Sequence, residues 1–586
     1  MDLLVFCECA CAILTLLFVM RTILSSGKRR QGNRLPPGPP GRPILGHLHL
    51  LQLPLHESLH KLAQQYGPIV FIKMGAMPTV VISSPDLARK FLHEHDHDFA
   101  DRPSMEASKR IFLDNGSMVM MEYGPLWREL RKLYTVHMLS VRRVGMFERS
   151  RLEEMHTCLE TLQNHALRGK PNVDMRKLVF NTVGNMMSRM LFSKRLFDLD
   201  EAFSGEESHF KAIVERSAVV FGTPFLGDLI PWLSWLDIQG LRRMMDASRK
   251  EYDDFFEAII TERIMEREGH AAADDDDEKD KDCLDTLLNA SFCILAYNCP
   301  DVAAKVLSHA HSCSYSCIHF HSSSSLTYLP GCLLKNFQHG VSISSCSQYL
   351  FCAWMSAHSR HKCIHNELHA LQDLMSASVE TTTTSIEWTI AELLRNPRHL
   401  NKLREELDMV SSSDPHHNCL EDPQLGNLKY LEAIVKESLR LHPPFSVDMR
   451  QMCGGLKNGL KVGEYYFPAK TRLLTNLWAM ARDTNVWGSS AGQFCPERFL
   501  VDEDSRDVRG QHYELLPFGT GRRGCPGTNM ALTVVPFVVA NLVKAFDWEI
   551  PDGAVLDLSE GAALTAPMAK PLIAVPCIRR SSSSSS

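Results

Sequence analysis

The stretch Leu515–Met530, LLPFGTGRRGCPGTNM, places one cysteine, Cys525, between Gly524 and Gly527. These glycines allow tight turns and a close approach of the backbone to a flat group. A long apolar run of helical length starts at Asn529, so Cys525 is predicted to lie just before a helix. Free N–H groups of the turn and the positive end of the helix would stabilise a thiolate there. The alternative is a buried structural cysteine near a surface turn.

The residue pattern around Cys525 is specific, because Phe518-x-x-Gly521-x-Arg523-x-Cys525-x-Gly527 fixes five residue types in ten positions. A thiolate held by N–H donors in a Gly-rich turn suits a haem iron that is to cleave an O–O bond. The segment resembles the haem-binding loop of the cytochromes P450. This resemblance implies that Cys525 is the axial ligand of the iron and that Phe518, Arg523 and Gly527 are also cofactor-binding residues.

Length and composition favour one large domain. The chain has 586 residues, of which 44% are hydrophobic and 23% charged, as in ordinary globular proteins. No Gly/Ser-rich linker divides it, so we expect a single catalytic domain over 44–577 and a tail over 578–586. The net charge of −6 gives no case for nucleic-acid binding. The 18 cysteines show no small disulfide framework and are interpreted as mostly free thiols facing a reducing compartment.

The N-terminal residues predict a membrane anchor. Leu3–Met20 is apolar apart from Glu8, and basic residues follow it, which predicts an anchor helix over 1–24 with its C-terminal side in the cytosol. A cleaved signal peptide is the alternative, but its usual basic start is missing. A basic and Pro-rich connector follows over 25–43. This order resembles microsomal members of the family and implies an endoplasmic reticulum membrane protein with a cytosolic catalytic domain.

A helix is predicted from Pro125, a residue suited to a first helical turn. Trp127 and Arg131 are four residues apart and share one face of it. An indole N–H and a guanidinium suit an anionic carboxylate such as a haem propionate, so both are candidate cofactor-binding residues. Arg128 and Lys132 would then contribute to a basic surface for an acidic electron donor. The alternative is a solvated charged helix.

Leu371–Arg395 is predicted to be a long helix that is unusually rich in threonine. The adjacent Glu380 and Thr381 form an acid–alcohol pair that can relay protons to bound dioxygen, and they are the candidate catalytic residues. The pair resembles the oxygen-activation motif of the family, in which Ala377 also matches. Ser378 stands where glycine is usual, so the groove beside the haem is expected to be narrower. The alternative is a Thr-rich packed helix without catalytic function.

Glu437-x-x-Arg440 places an acid and a base three apart on a predicted helix. The motifs occur along the chain in the order expected for the family. The resemblance therefore implies a buried ion-pair network behind the haem, with Arg498 as its third, structural member. Arg450 matches a position at which the family contacts a haem propionate.

Two smaller β-like runs, Ile69–Met74 and Thr79–Ser83, predict a small sheet near the N-terminus. The apolar and aromatic segment Pro224–Ile238 is interpreted as core. The resemblance also gives this segment a position over the substrate cavity and at the bilayer.

The segment 290–365 is atypical, because it contains eight of the 18 cysteines together with many histidines and serines. We interpret it as an insertion of low structural meaning. Four of its residues have the chemistry of zinc ligands, although their spacing is too close for an ordinary finger. They are Cys313, Cys317, His319 and His321.

Taken together, the resemblance implies a mainly α-helical P450 fold with a minor β portion, and a haem b monooxygenase. One atom of O2 would enter a small apolar or phenolic substrate, with electrons from NADPH through a membrane reductase. WRELRK, FPAKTRL and PFGTGRRGCPG resemble plant microsomal hydroxylases of the phenylpropanoid and flavonoid type. Two alternatives remain. One is a haem binder or inactive product whose central helix is disrupted by 290–365, and the other is a reductase-independent isomerase or dehydratase, against which Glu380-Thr381 argues.

Overall fold

The computed structural model describes Thr15 and residues 34–112, 117–169, 172–204, 209–269, 282–287, 360–411, 419–501, 506–561 and 565–579. The rest of the predicted anchor 1–24 and the four candidate zinc ligands lie outside these residues. The anchor, the zinc site and the character of the insertion therefore stay predictions.

Helices make up most of the described chain and are numbered in chain order. The first ten are α1 Leu55–Tyr66, α2 Pro85–Arg89, α3 Glu106–Phe112, α4 Pro125–Lys132, α5 Val141–Met146, α6 Glu148–Leu167, α7 Met175–Phe192, α8 His209–Gly222, α9 Leu226–Leu229 and α10 Leu241–Gly269. The others are α11 Arg360–Arg395, α12 Pro397–Ser411, α13 Asp422–Leu425, α14 Lys429–Leu441, α15 Leu477–Met480, α16 Thr484–Trp487 and α17 Thr528–Ala545.

The strands form small sheets at the side of the helical body. They are β1 Ile69–Met74, β2 Met77–Ile82, β3 Val173–Asp174, β4 Val447–Gln451, β5 Leu460–Val462, β6 Tyr465–Phe467, β7 Arg472–Asn476, β8 Phe546–Glu549 and β9 Ile573–Ile578. The largest sheet has the order β1-β2-β7-β4, in which β2 and β7 run parallel and the other pairs are antiparallel. The smaller sheets are β3-β9-β8 and β5-β6. The predicted mainly helical fold with a minor β portion is confirmed.

Helix α11 is the centre of the fold and packs against α7, α10, α14 and α17. It begins at Arg360, eleven residues before the predicted start at Leu371. The sequence missed these turns because the Cys/His/Ser-rich residues before Leu371 lack a regular apolar repeat. Most side chains from Ala370 to Leu393 are buried, and the buried apolar ones belong to the main core.

Helix α17 follows Cys525 directly and is mostly apolar. Within the described residues it is the one helix long and apolar enough to cross a membrane, yet more than half of it is buried inside the protein. It contacts α11, α12 and α14, so its apolar surface belongs to the core. This packing holds the helix that follows Cys525 against the centre of the fold.

Candidate active site

The loop around Cys525 is a tight turn that ends at a helix. The Cys525 N–H donates to the Phe518 carbonyl over 2.8 Å, and Gly521 lies in a short 3₁₀ turn with φ +65°. Helix α17 begins at Thr528, one residue before the expected start of the apolar run. A Cβ on Gly527 would lie 3.7 Å from the Cys525 Sγ, an ordinary van der Waals distance, so the backbone of this residue lies close to the sulfur.

Several groups act on the charge of the Cys525 thiol. The side chain is accessible to solvent, but protein surrounds it on its other sides, and this burial raises the pKa of the thiol. The Gly527 N–H, the positive charge of Arg131 and the Thr528 hydroxyl act in the opposite direction and favour the thiolate. The loop therefore directs donors and a cation toward one sulfur.

Arg131 and Trp127 lie on one face of α4, as the sequence predicted for this helix. The Arg131 guanidinium is 5.9 Å from the centre of the Trp127 ring, and burial lowers its pKa while the charge of Cys525 raises it. In the described part of the chain, Arg131 has no carboxylate partner at ion-pair distance. The Trp127 indole N–H donates to the Met118 carbonyl over 3.1 Å, a partner that the sequence did not suggest.

Arg523 is buried beside the same turn. Its guanidinium donates to the carbonyls of Ala100 and Met121, each over 2.6 Å, and burial together with the charges of Arg102 and Arg450 lowers its pKa to about 9. Arg523 and Trp127 therefore fix the segment at 118–121 between the cysteine loop and α4. Their predicted contact with a cofactor stays a prediction.

Arg450, on β4, is fully buried and pairs with protein groups. Its guanidinium donates to Asp448 over 2.9 Å, to Asp96 over 2.8 Å and to the Thr520 carbonyl over 2.7 Å. Asp96 also accepts from the backbone N–H and the guanidinium of Arg522. The predicted propionate residue thus connects Asp96, the sheet and the residues just before Cys525.

Helix α11 has one partly open turn at the predicted oxygen-activation motif. Ala377 is exposed and Ser376, Ser378, Glu380 and Thr381 are partly exposed, whereas residues 369–375 and 382–393 are buried. The Thr381 hydroxyl donates to the Ala377 carbonyl over 2.7 Å, and the Ser378 hydroxyl likewise bonds to the preceding turn. The Glu380 carboxylate accepts from the Thr565 hydroxyl over 2.6 Å.

Glu437, Arg440 and Arg498 lie together in a buried network. Arg440 binds Glu437 in a bidentate pair of 2.7 and 2.8 Å, and Arg498 donates to Glu437 over 3.0 Å. Glu437 and Arg440 are both completely buried. The Cys495 N–H donates to Glu437 over 2.7 Å, and Arg440 also donates to the Ala491 carbonyl over 2.7 Å. The network fixes α14 to the loop at 491–498.

Sequence reasoning missed three residues that hold this region together, namely Asp96, Asp373 and Thr565. Asp373 accepts from the Ser117 hydroxyl over 2.7 Å and from the Met118 N–H over 2.8 Å. Each of the three meets a partner that is remote in the chain, so no local spacing indicates it. The sequence contains a local signal for Asp373 alone: it lies seven residues before Glu380 and so faces the same side of α11.

The residues present fit a haem. Cys525 offers an accessible sulfur, Arg131 offers a cation for a carboxylate, and the open turn at Ala377 lies on α11, which packs against the helix that starts after the cysteine. Cys525 would be the ligand of the iron, while Arg131 would pair with a propionate. The group would supply reductive activation of O2, chemistry that no amino-acid side chain provides.

The chain is similar to known proteins over most of its length. The family model for cytochrome P450 matches residues 36–302 and 356–573. The chain is 33% identical over 562 residues to cytochrome P450 CYP736A12 of Panax ginseng, covering 95% of both chains. It is 31% identical over 569 residues to the flavonoid 3′-monooxygenase of Arabidopsis thaliana, covering 96% of this chain and 95% of that one.

A solved zebrafish cytochrome P450 structure with abiraterone has a TM-score of 0.63 and 20% identity to this chain, covering 90% of this chain and all of the other. That likeness shows a shared fold. The extent of the family match and the plant relatives go further: the chain belongs to the cytochrome P450 family and is a haem-dependent monooxygenase that uses O2, a redox partner and a small-molecule substrate.

Proposed function

We propose that this chain is a microsomal hydroxylase of an apolar or phenolic small molecule, supplied with electrons from NADPH by a membrane-bound flavoprotein reductase. The observation that carries the proposal is the open turn of α11, which presents Glu380 and Thr381 on the helix that packs against α17, the helix that begins after Cys525. The substrate class is supported by relatives named flavonoid 3′-monooxygenase and flavonoid 3′,5′-hydroxylase, at 31% and 30% identity.

In this proposal, residues of the chain position the cofactor and deliver protons to O2. Cys525 would hold the cofactor through its sulfur, and Arg131 would orient it. The Thr381 hydroxyl lies at the open turn, where it could exchange its bond to the Ala377 carbonyl for one to the O2 substrate. Glu380 is partly exposed, but protein surrounds most of its side chain; this partial burial raises the pKa of the carboxyl and brings it closer to the range in which a general acid can both gain and lose a proton.

A membrane location, at the endoplasmic reticulum with the catalytic domain in the cytosol, rests on the predicted anchor and on an apolar surface. Trp232, Trp235 and Ile238 are 58%, 73% and 66% exposed within the segment that the sequence placed near the bilayer. The Ala76 N–H donates to the Leu229 carbonyl, which fixes this segment beside the turn between β1 and β2. Exposed tryptophans suit the interface between lipid and water.

The reductase is proposed to dock on the side of the domain that carries α4. Arg128 on α4 is exposed, and Arg522 beside the cysteine loop is 41% exposed; both lie 5.8 Å from the centre of the Tyr123 ring. Positive charge at this position would attract an acidic electron donor close to Cys525.

Two substitutions test the function. Cys525→Ser should abolish the thiolate band in the reduced, CO-treated difference spectrum. Thr381→Ala should keep that band but lower the fraction of consumed O2 that appears as product, by about 10-fold or more, because proton delivery is disturbed. Thr383→Ala is the matched control, since the Thr383 hydroxyl is buried on the same helix without a hydrogen-bond partner in the described chain.

The same measurements separate the alternatives. Full coupling in the Thr381→Ala variant would refute the assigned proton relay. Product formation without NADPH consumption would indicate an isomerase or dehydratase. A wild-type CO spectrum with only a neutral-thiol band would indicate that the site does not assemble, as expected if 290–365 disrupts it.

A further inference from the structure

Three acids of α11 lie on one face of the helix at intervals of seven residues: Asp373, Glu380 and Glu387. Seven residues make nearly two turns, so the three carboxylates form a row along the helix. Burial raises the pKa of all three, and that of Asp373 reaches about 7. We call these three residues the acidic row; each binds a segment that is distant in the chain.

The two outer members of the acidic row have several donors. Asp373 accepts from the Ser117 hydroxyl and the Met118 N–H. Glu387 accepts from the Arg176 guanidinium and from the Leu572 N–H, each over 2.9 Å. Both carboxylates are thus fixed by groups that hold them in one orientation.

Glu380, the middle member, is held differently. Within the described residues its one hydrogen-bond donor is the Thr565 hydroxyl, at 2.6 Å. A short bond from a neutral hydroxyl favours the ionised carboxylate but also leaves lone pairs on Glu380 for another partner. The middle acid is therefore the one with acceptor capacity left for a water molecule or another donor.

The Thr565 hydroxyl is itself held firmly in place. The next residue, Ala566, accepts from the Trp388 indole N–H over 2.9 Å, and the Met568 carbonyl accepts from Arg176 over 2.6 Å. The segment 565–572 is thereby bound to the same side of α11 as Glu380. The carboxylate meets a donor fixed by neighbouring contacts rather than a freely moving side chain.

The other charges facing Glu380 come from three helices. Glu215 on α8 raises its pKa and Arg176 on α7 lowers it, and Tyr252 on α10 is close enough to be affected by the Glu380 charge. Burial is the largest effect and raises the pKa, while the hydrogen bond from Thr565 is the largest effect that lowers it. Removing this bond should raise the pKa of Glu380, because burial and Glu215, which both raise it, would then be less strongly opposed.

We propose that Thr565 is a positioning residue, whose hydroxyl holds the Glu380 carboxylate in place and sets how readily Glu380 takes up a proton. The proposal rests on the role of Glu380 given under the proposed function. Thr565 acts through Glu380 and is assigned no contact with substrate or cofactor.

The test compares Thr565→Val, which keeps the shape and removes the hydroxyl, with Thr565→Ser, which keeps the hydroxyl. In the full-length, haem-loaded protein, infrared difference spectra across a pH series follow carboxyl protonation, and Glu380→Gln identifies the Glu380 band. Thr565→Val should raise the midpoint of that band by about one pH unit, while Thr565→Ser should stay near wild type. Ser117→Ala, which removes a hydroxyl from Asp373 instead, should not move the Glu380 band.

A second readout follows product formed per O2 consumed, which should fall several-fold in Thr565→Val and recover in Thr565→Ser. An unchanged Glu380 midpoint in Thr565→Val, or an equal shift in Thr565→Ser, would overturn the proposal. Thr565→Ala gives the same comparison should the valine variant fold poorly. Full coupling in Glu380→Gln would refute the proposed function of Glu380, whereas the midpoint shift caused by Thr565 would still stand.

Discussion

At the scale of single residues, the cysteine loop shows why glycine is needed at one position and only convenient at another. Gly521 has a φ of +65°, and a Cβ there would lie 2.6 Å from the Asp96 Oδ1. Asp96 is also the acceptor for Arg450 and Arg522, so it cannot move without loss of those bonds. Gly524 has an ordinary φ of −57°, and its nearest neighbour to an added Cβ is at 3.3 Å.

Gly521→Ala should therefore lower the free energy of unfolding by about 2 kcal/mol or more, from the left-handed backbone and the displacement of Asp96. Chemical denaturation monitored by circular dichroism gives the value, and the CO difference spectrum gives the amount of intact site. Gly524→Ala is the control and should lower the free energy of unfolding by clearly less than Gly521→Ala does. Equal losses in the two variants would show that Asp96 does not restrict position 521.

At the scale of elements, the charged groups of α14 serve to join this helix to the loop at 491–498. The Arg440 guanidinium has no exposed surface, and every partner found for it lies in the protein. The Arg440 and Arg498 guanidiniums also lie 4.9 and 5.7 Å from the centre of the Trp487 ring. A buried acid between two arginines holds one arrangement of helix and loop, because any other leaves a charge unpaired.

Arg440→Met should lower the free energy of unfolding by about 3–5 kcal/mol, because Glu437 would stay buried and lose its bidentate partner. Equilibrium denaturation in urea measures this loss. Arg149→Met removes a different ion pair, in which Arg149 is 91% exposed, and should change the stability by less than about 1 kcal/mol. A loss below 1 kcal/mol in Arg440→Met would contradict a supporting role for the network.

At the scale of the whole molecule, a buried cluster around His442 joins α11 and the end of α14 to the segment at Glu560. Its ring stacks on Trp388 with centres 3.8 Å apart, its Nε2 lies 2.9 Å from Glu392, and its Nδ1 lies 4.0 Å from Glu560. Burial lowers the pKa of His442, with opposition from Glu392, and Arg482 nearby lowers it further. Glu560 has a lowered pKa despite its burial, because His56 and Arg482 favour its charged form.

These two shifts predict instability in acid. The unfolded chain protonates His442 near pH 6.5, while the folded chain does so only at lower pH, so the unfolded state binds more protons between these values. Stability should therefore fall as the pH drops below about 6.5, by up to about 1.4 kcal/mol per pH unit from this residue. The contribution of Glu560 is present at neutral pH and is lost in acid as well.

Urea titrations between pH 7.5 and 5 measure this dependence. His442→Gln should flatten it, whereas Trp388→Phe, which keeps the titrating ring, should lower stability at every pH and leave the slope in place. A slope that is unchanged in His442→Gln would assign the acid sensitivity to other groups.

The sequence predicted those features that depend on near neighbours. Strand β1 has the predicted bounds, Ile69–Met74, and α4 begins at Pro125, because a β-like apolar run and a first-turn proline are local signals. The start of α11 was predicted too late, since no periodic pattern precedes Leu371. Thr565, the partner of Glu380, and Asp96, a partner of Arg450, are 185 and 354 residues away in the chain, and no spacing rule reaches that far.

Helix α17 has a consequence for topology experiments. Its composition would let it enter a lipid bilayer, and only its packing against α11, α12 and α14 shows that it belongs to the interior of the protein. A chain truncated near Ala545 and fused to a reporter would lack β8 and β9. The readout would then describe an exposed apolar segment and not the native arrangement. Orientation should therefore be mapped with reporters or protease sites placed in the full-length protein.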